Sequence, residues 1–377
     1  MEVKHFEMVR KGVYVLGKFK EFDSTESVMS DWLSWGGLIK PGVLRNKDGG
    51  LMATLCYRYI KNIEDDKASL AIDELCTSLL ELNGGWVIYS EAVNRSLNEC
   101  VYYLTLFWLP KRDKSGKLKD LPSWTENLEV KDNGYAEEDA VQVFELVVSR
   151  LKESLGCICD VAAVEGVDYL NYLRSTITFD GLKVDMPKTP LFLDAFLSMD
   201  LTLGGELGMP VVSGYAMKIV SPLGYLGIRA KELIERLNEC DVPYRFVSRF
   251  MFFDDEMIKK EEKRYFSKWC DGRKAMMPLL EYNHKKNSKC GYCTANIIVW
   301  DTDKKKTVAA AEMVEKVIQD MGICAVMEDY NLKDVWYGSV PGVVRANLKP
   351  PMVVVEDVSK LIVLPLKKEK QLVNSDE

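Results

Sequence analysis

From Tyr215 to Asp329 the chain alternates strand-like and helix-like segments without a break, which restricts it to folds in which helices cover a sheet. YAMKIVS, starting at Tyr215, reads as a strand, IRAKELIERL as a helix and YRFVSRFMFF as a strand. A long helix is expected from Asp254-Asp255, acidic residues suited to a helix start, with Ile258, Tyr265, Trp269, Met276 and Leu280 along one face. CTANIIVW is then a strand, and Lys304 to Met321 a helix with Ala310, Val314, Val317 and Met321 on one face and Gly322 placed to stop it. ICAVMED closes the series. Two βαβ-type units in tandem predict an α+β fold, with mixed sheets under packed helices and a ferredoxin-like arrangement in this second half.

The first half carries a different opening. Trp32, Leu33 and Trp35 end an amphipathic stretch read as a helix that stops at Gly36-Gly37. In PGVLRNKDGGLMATLCYRY two strand-like runs flank Asn46 to Gly50, and Asp-Gly between apolar alternations is a hairpin signal. Asp65 to Leu82 reads as a helix with Ile72, Leu75, Leu79 and Leu82 on one face and acidic residues at its start. WVIYSEAV and VYYLTLFWLP follow as strands, the second apolar nearly throughout and so expected in mid-sheet. Lys111 to Ala136 is polar and reads as an internal loop, with helices after it near Glu137–Leu155 and Val167–Arg174. PKTPLFLDAFLSMDLTLGGELGMP then suggests a proline-bounded helix and a glycine-rich loop.

Composition narrows the class of function. The 377 residues are 47% hydrophobic and 28% charged, ordinary for a globular chain of about two domains. A net charge of −7 argues against broad contact with nucleic acid phosphates. No apolar run approaches the roughly 18 residues of a membrane-spanning helix, and the N-terminus lacks the marks of a signal peptide. The ten cysteines read as buried thiols of a reducing cytoplasm.

Catalytic patterns are incomplete. Gly12 to Phe19 matches a phosphate-binding loop in spacing, but Phe19 stands where a magnesium-binding hydroxyl is needed and the intervening residues read as a strand. The glycines of LGGELGMP have no following lysine. Cys290 and Cys293 form a lone C-x-x-C, Cys157 and Cys159 a C-x-C, and His284 alone could join the first pair, short of a tetrahedral zinc set. A strand rather than a helix follows Cys293, which counts against a thiol redox role. His5 and His284 are the only histidines, few for Ser-His or Cys-His catalysis. The acidic pairs Asp65-Asp66 and Asp254-Asp255 read as helix starts, and the basic clusters at Lys259 to Arg264 and at Lys367, Lys368 and Lys370 as solvated faces. No catalytic, cofactor or metal residue is assigned.

Several segments in order carry a family resemblance: WLSWGGLIKPGVLRNKDGGLMATLCYRY, GGWVIYSEAV with YYLTLFWLP, YLRSTITFDGLKVDMPKTPLFLDAFL, YRFVSRFMFFD, CGYCTANIIVWD and VWYGSVPGVVRANLKPP. From about Trp32 to Leu364 the chain resembles the N-terminal half of the TrbE/CagE/VirB family, the ATPases of type IV secretion and conjugation. That resemblance implies four regions: an extension at 1–22, an α/β subdomain at 23–165, a second of TrbE/CagE type at 166–365, and a polar tail at 366–377. It implies a non-catalytic platform that docks a motor on inner-membrane channel subunits and helps it oligomerise, cytoplasmic and peripheral to the inner membrane through those partners. ATP and magnesium are implied only for a P-loop motor domain absent from these residues, and no direct contact with nucleic acid is expected. Arg249, Trp336, Pro341 and Gly342 are read as structural or partner-contact positions. The connection at Asn94–Cys100 and the segment Glu281–Lys289 are shorter than the family pattern, both at surface connections. A split gene, a remnant and a stand-alone scaffold would each account for the missing motor, and an unrelated cytosolic α/β enzyme is the alternative from another class.

Overall fold

The computed structural model describes residues 29–61, 65–95, 100–125, 138–188, 192–223, 226–227, 229–268, 281, 288–344 and 351–365. Among them thirteen strands join one antiparallel sheet, and eight α-helices lie against it. The first half opens with the hairpin β1 (Trp35–Lys40) and β2 (Val43–Asn46). β3 (Leu51–Ile60), α1 (Asp65–Leu80), β4 (Trp86–Asn94), β5 (Cys100–Trp108), α2 (Glu138–Ile158) and β6 (Cys159–Ala163) follow. Across the sheet these strands run β6-β3-β5-β4, so the fourth strand of the unit lies beside the first and the third between first and second. That is the split βαβ order of a ferredoxin-like unit.

α3 (Gly166–Ile177) and α4 (Leu193–Ser198) lead to a second hairpin, β7 (Leu203–Glu206) and β8 (Met209–Val212). β9 (Tyr215–Pro222), α5 (Arg229–Asn238), β10 (Tyr244–Phe252), α6 (Asp255–Lys268), β11 (Lys289–Asp301), α7 (Lys304–Asp320) and β12 (Ala325–Met327) complete this half, before α8 (Leu332–Ser339) and β13 (Met352–Val355). Their order is β12-β9-β11-β10, the same arrangement again. The βαβ elements of the second half therefore interleave into one unit instead of two in tandem, and the first half builds its counterpart. β4 and β10, the second strand of each unit, pair antiparallel from Val87↔Met251 to Asn94↔Tyr244. The boundary expected at residue 165 falls just before α3, and the sheet runs unbroken through both halves.

Both faces of the central strands are covered, so they are apolar at odd and even positions alike. Trp86, Ile88 and Ala92 of β4 and Tyr244, Phe246, Phe250 and Phe252 of β10 enter a first core, with Leu75 and Leu79 of α1, Phe144, Val147 and Leu151 of α2, Leu233 of α5 and Val314 of α7. Val87 and Tyr89 of β4 and Val247 of β10 point to a second core under α3, α4 and α8, with Tyr169, Leu173, Leu197 and Trp336. β5 lies between β3 and β4, mid-sheet as its composition requires.

Local signals act as their chemistry predicts. The Asp254 side chain accepts from Met257 N at 2.7 Å at the start of α6, and Asp303 accepts from Lys305 N at 2.8 Å at the start of α7. After α7, Gly322 N donates to Gln319 O and Ile323 N to Ile318 O, closing the helix at the expected glycine. Residues 269–280 of the long-helix reading lie outside the described residues, as do the side chains of Asp65, Asp66 and Tyr265 and the basic cluster at Lys367, Lys368 and Lys370.

Two expectations of local structure are corrected. Trp35, Gly36 and Gly37 belong to strand β1, and only a short 3-10 turn, Met29–Asp31, precedes them. A Cβ on Gly36 would lie 2.6 Å from Arg45 O, so the pairing of β1 with β2 demands glycine there. LGGELGMP is the β7–β8 hairpin, with Gly205 paired to Pro210. Cys157 and Cys324 are exposed, against the expectation of buried thiols, while Cys159, Cys290 and Cys293 are buried. No helix among the described residues is long and apolar enough to cross a membrane.

Residues 351–365 form a strap across the first core. β13 pairs β11, Pro351 O accepts from Cys293 N, Tyr57 donates its hydroxyl hydrogen to Val363 O at 2.8 Å, and Val363 N donates to Ser90 Oγ at 2.8 Å. Val355, Val358, Leu361, Ile362 and Val363 are all buried there.

Candidate functional site

Charged residues inside apolar strands need partners, because an unpaired buried ion loses its hydration without return. Glu91 of β4 and Arg245 and Arg249 of β10 all point into the second core, and all are buried. Arg245 Nε donates to Glu91 Oε2 at 2.8 Å, and its terminal nitrogen donates to Ser339 O at 2.9 Å. Tyr172 of α3 donates to Glu91 Oε1 at 2.6 Å. Burial, and then the neighbouring Glu91 carboxylate, push the Tyr172 hydroxyl pKa far upward, so it remains a phenol and a donor. Hydroxyl bonds of 2.8 Å from Tyr172 to Thr105 and 2.9 Å from Thr105 to Thr54 extend the chain across β5 to β3. The network thereby joins both units and the N- and C-terminal helices of the second core.

Next to it lies the turn at 340–344, where the four residues singled out from sequence meet. Arg249 donates to Val343 O and Val344 O, each at 3.4 Å. Trp35 Nε1 donates to Pro341 O at 2.8 Å, while Ser34 Oγ and Asn46 Nδ2 donate to Gly342 O at 2.8 and 3.0 Å. Gly342 has φ +83°, and a Cβ there would lie 2.9 Å from Asn46 Nδ2, so backbone angle and space both call for glycine. Trp336 is fully buried on α8, its ring 5.3 Å from that of Tyr337. Trp336→Ala should cost about 3–5 kcal/mol in urea unfolding, the range for a large aromatic removed from a core. A variant of unchanged stability that fails in binding would make it a contact residue instead.

The other sequence candidates are dispersed. Cys290 and Cys293 lie three positions apart on β11, so alternation sends their side chains to opposite faces. Cys293 joins the first core and Cys290 a separate cluster with Phe253 and Ile258. Burial pushes both thiols up to about 12, the reverse of what a thiolate ligand needs. The near phosphate loop at Gly12 to Phe19, His5 and His284 lie outside the described residues. Among the described residues no group of three or more His, Cys, Asp or Glu side chains is placed to hold a metal ion.

The sequence reading missed a cavity of about 550 Å³ on the second face, at the end of the sheet where β3 and β4 finish. Arg58, Arg95 and Lys183 line it with a single carboxylate, Asp168, over walls that include Tyr103 and Ala162. A second cavity of about 370 Å³ adjoins it at Arg95 and is walled by Phe179, Trp300 and Tyr215. Asn171 fixes the overlying segment, accepting from Val184 N at 2.7 Å and donating to Val184 O at 3.2 Å. Alternating parity could have flagged Glu91, Arg245 and Arg249 as charges on one strand face. The cavity joins residues from distant segments and left no local pattern.

Comparison with known proteins places these features in a lineage. Residues 220–349 match the sequence profile of the CagE, TrbE, VirB family, a component of the type IV transporter system. The conjugal transfer protein TrbE of Rhizobium radiobacter is 22% identical over 418 residues, covering 92% of this chain and 50% of that protein. A probable conjugal transfer protein TrbE of Sinorhizobium fredii (strain NBRC 101917 / NGR234) is 23% identical over 223 residues, 52% of this chain and 33% of the relative. The chain thus spans about half the length of the first relative and a third of the second. Berberine bridge enzyme from Eschscholzia californica superposes on 71% of this chain and 41% of its own with a TM-score of 0.29 at 14% identity, too loose a likeness to bear on fold or chemistry.

Proposed function

Since the chain belongs to the CagE, TrbE, VirB family of type IV transporter components, we propose that it is a non-catalytic platform of a conjugal transfer machine. In this reading it docks a motor on the inner-membrane channel, through protein partners at the membrane. The observation that supports this best is the use made of the buried charges in and beside the family-matched region. Arg245 is engaged with Glu91 and the Ser339 carbonyl, and Arg249 with the carbonyls of Val343 and Val344. Both guanidiniums hold the protein's own backbone and shape it for contact. ATP hydrolysis belongs, on this proposal, to a P-loop domain on other residues or another chain.

Calorimetric titration of the purified chain with Mg·ATP should give no saturable heat, and micromolar binding would overturn the non-catalytic assignment. Affinity capture from cells carrying the conjugative element should recover a P-loop ATPase or an inner-membrane channel subunit. Recovery of neither, with wild-type transfer frequency after gene deletion, would reject the platform.

A further inference from the structure

The two adjoining cavities follow one line across the sheet. Their walls take residues from β6, β3, β5 and β4, from Pro243 beside β10, and from β11 and β9, seven strands consecutive in the sheet. Six inter-strand spacings of roughly 4.8 Å give a groove about 29 Å long. An extended peptide advances roughly 3.3 Å per residue, so about nine residues would fill it. A compact small molecule would occupy one cavity only.

Charge is distributed unevenly along this line. At the β6 end stand Arg58, Arg95 and Lys183 against Asp168. Arg95 and Lys183 are exposed, and among the described residues no carboxylate pairs with either. The Tyr103 hydroxyl likewise has no hydrogen-bond partner among the described residues, and Arg95 and Arg58 lie close enough to exert a favourable field on its anion. At the β9 end the wall is aromatic, with the Phe179 and Trp300 rings stacked at 4.6 Å and Tyr215 beside them. Asp301, the carboxylate at that end, accepts from Asp303 N at 2.8 Å in its own turn. Cations confined to one half of the groove do not suit a nucleic acid strand, whose phosphates repeat along its whole length. They suit a peptide with acidic residues at one end and apolar ones at the other, and they stand out on a chain of net charge −7.

We infer that this groove docks an extended segment of a partner protein, about nine residues long. Acidic side chains meet Arg58, Arg95 and Lys183, and an apolar or aromatic side chain packs on Phe179 and Trp300. The inference rests on the platform reading and names the surface through which one partner is held.

Fluorescence anisotropy of the full chain tests it with a fluorescein-labelled nonapeptide of four glutamates followed by phenylalanine and leucines. Saturable binding is expected, weakening as salt rises. The double variant Arg95→Glu, Lys183→Glu should raise the dissociation constant at least tenfold, and Arg95→Gln, Lys183→Gln should move it less in the same direction. Both side chains are exposed, and a near-ultraviolet circular dichroism spectrum matching that of the wild type checks the fold. The proposal is overturned by absence of saturable binding, by equal binding to the reversed-charge variant, or by equal binding of the same peptide with lysines in place of glutamates. Tighter binding of a nine-nucleotide oligothymidylate, or full displacement of the peptide by inorganic phosphate, would also reject the peptide as occupant. This experiment reads the groove alone and the capture experiment reads the platform, so either can fail without the other.

Discussion

A chain ending at residue 350, where the family-matched region stops, should not fold cooperatively. The strap at 351–365 supplies β13 to the free side of β11 and buries Val355, Val358, Leu361, Ile362 and Val363 in or beside the first core. Burying an aliphatic side chain is worth about 1.5–3 kcal/mol, so these five contribute on the order of 8–15 kcal/mol. That is as large as the whole stability of an ordinary domain, about 5–15 kcal/mol. The loss also leaves the Tyr57 hydroxyl and Ser90 without the Val363 backbone in the interior. Circular dichroism and urea titration of the shortened chain should show no cooperative transition, while a chain ending at 365 retains every one of these contacts. A shortened form with the parent's unfolding midpoint would mean that the first core closes without the strap.

Replacing Glu91 with alanine should destabilise the protein by about 3–5 kcal/mol, the range for removing one partner of a buried ion pair. Arg245 would then remain buried with its charge uncompensated and Tyr172 would lose its acceptor, since both now bond to this carboxylate. The double replacement Glu91→Leu, Arg245→Met should recover much of that loss, because an apolar pair avoids desolvating two ions. Equilibrium urea unfolding of the single and double variants gives the coupling directly. A single-variant cost under about 1 kcal/mol would place the pair in contact with water, contrary to its burial.

The order of strands and helices was largely open to reading from the chain, because each segment carries its own periodicity. Asp254 and Gly322 bound their helices in the expected way, and Asn46 to Gly50 form the expected turn. Trp35-Gly36-Gly37 misled because two tryptophans and a leucine at short spacing imitate a helix end. The actual reason for Gly36, contact with the Arg45 carbonyl, lies on another strand. Strand order was harder to read for the same kind of reason. Nothing local tells β11 to enter between β9 and β10, or β5 between β3 and β4. The meeting of Arg249, Trp336, Pro341 and Gly342 also needed Ser34, Trp35 and Asn46, about 300 residues away in sequence.

The pairing of β4 with β10 has a consequence for the growing polypeptide. β4 is made about 150 residues before the strand that covers its outer side, since Asn94 pairs with Tyr244. At 5–20 residues per second, translation needs roughly 8–30 s to bridge that gap. During that interval the first unit can complete β6-β3-β5-β4 on the ribosome, and its nine-residue strand WVIYSEAVN is a bare sheet edge. A long apolar edge templates pairing with any neighbouring chain, including the same strand of another nascent copy. Synthesis of the first half alone should therefore be most prone to aggregation through β4, and the arrival of β10 is the event that ends the exposure.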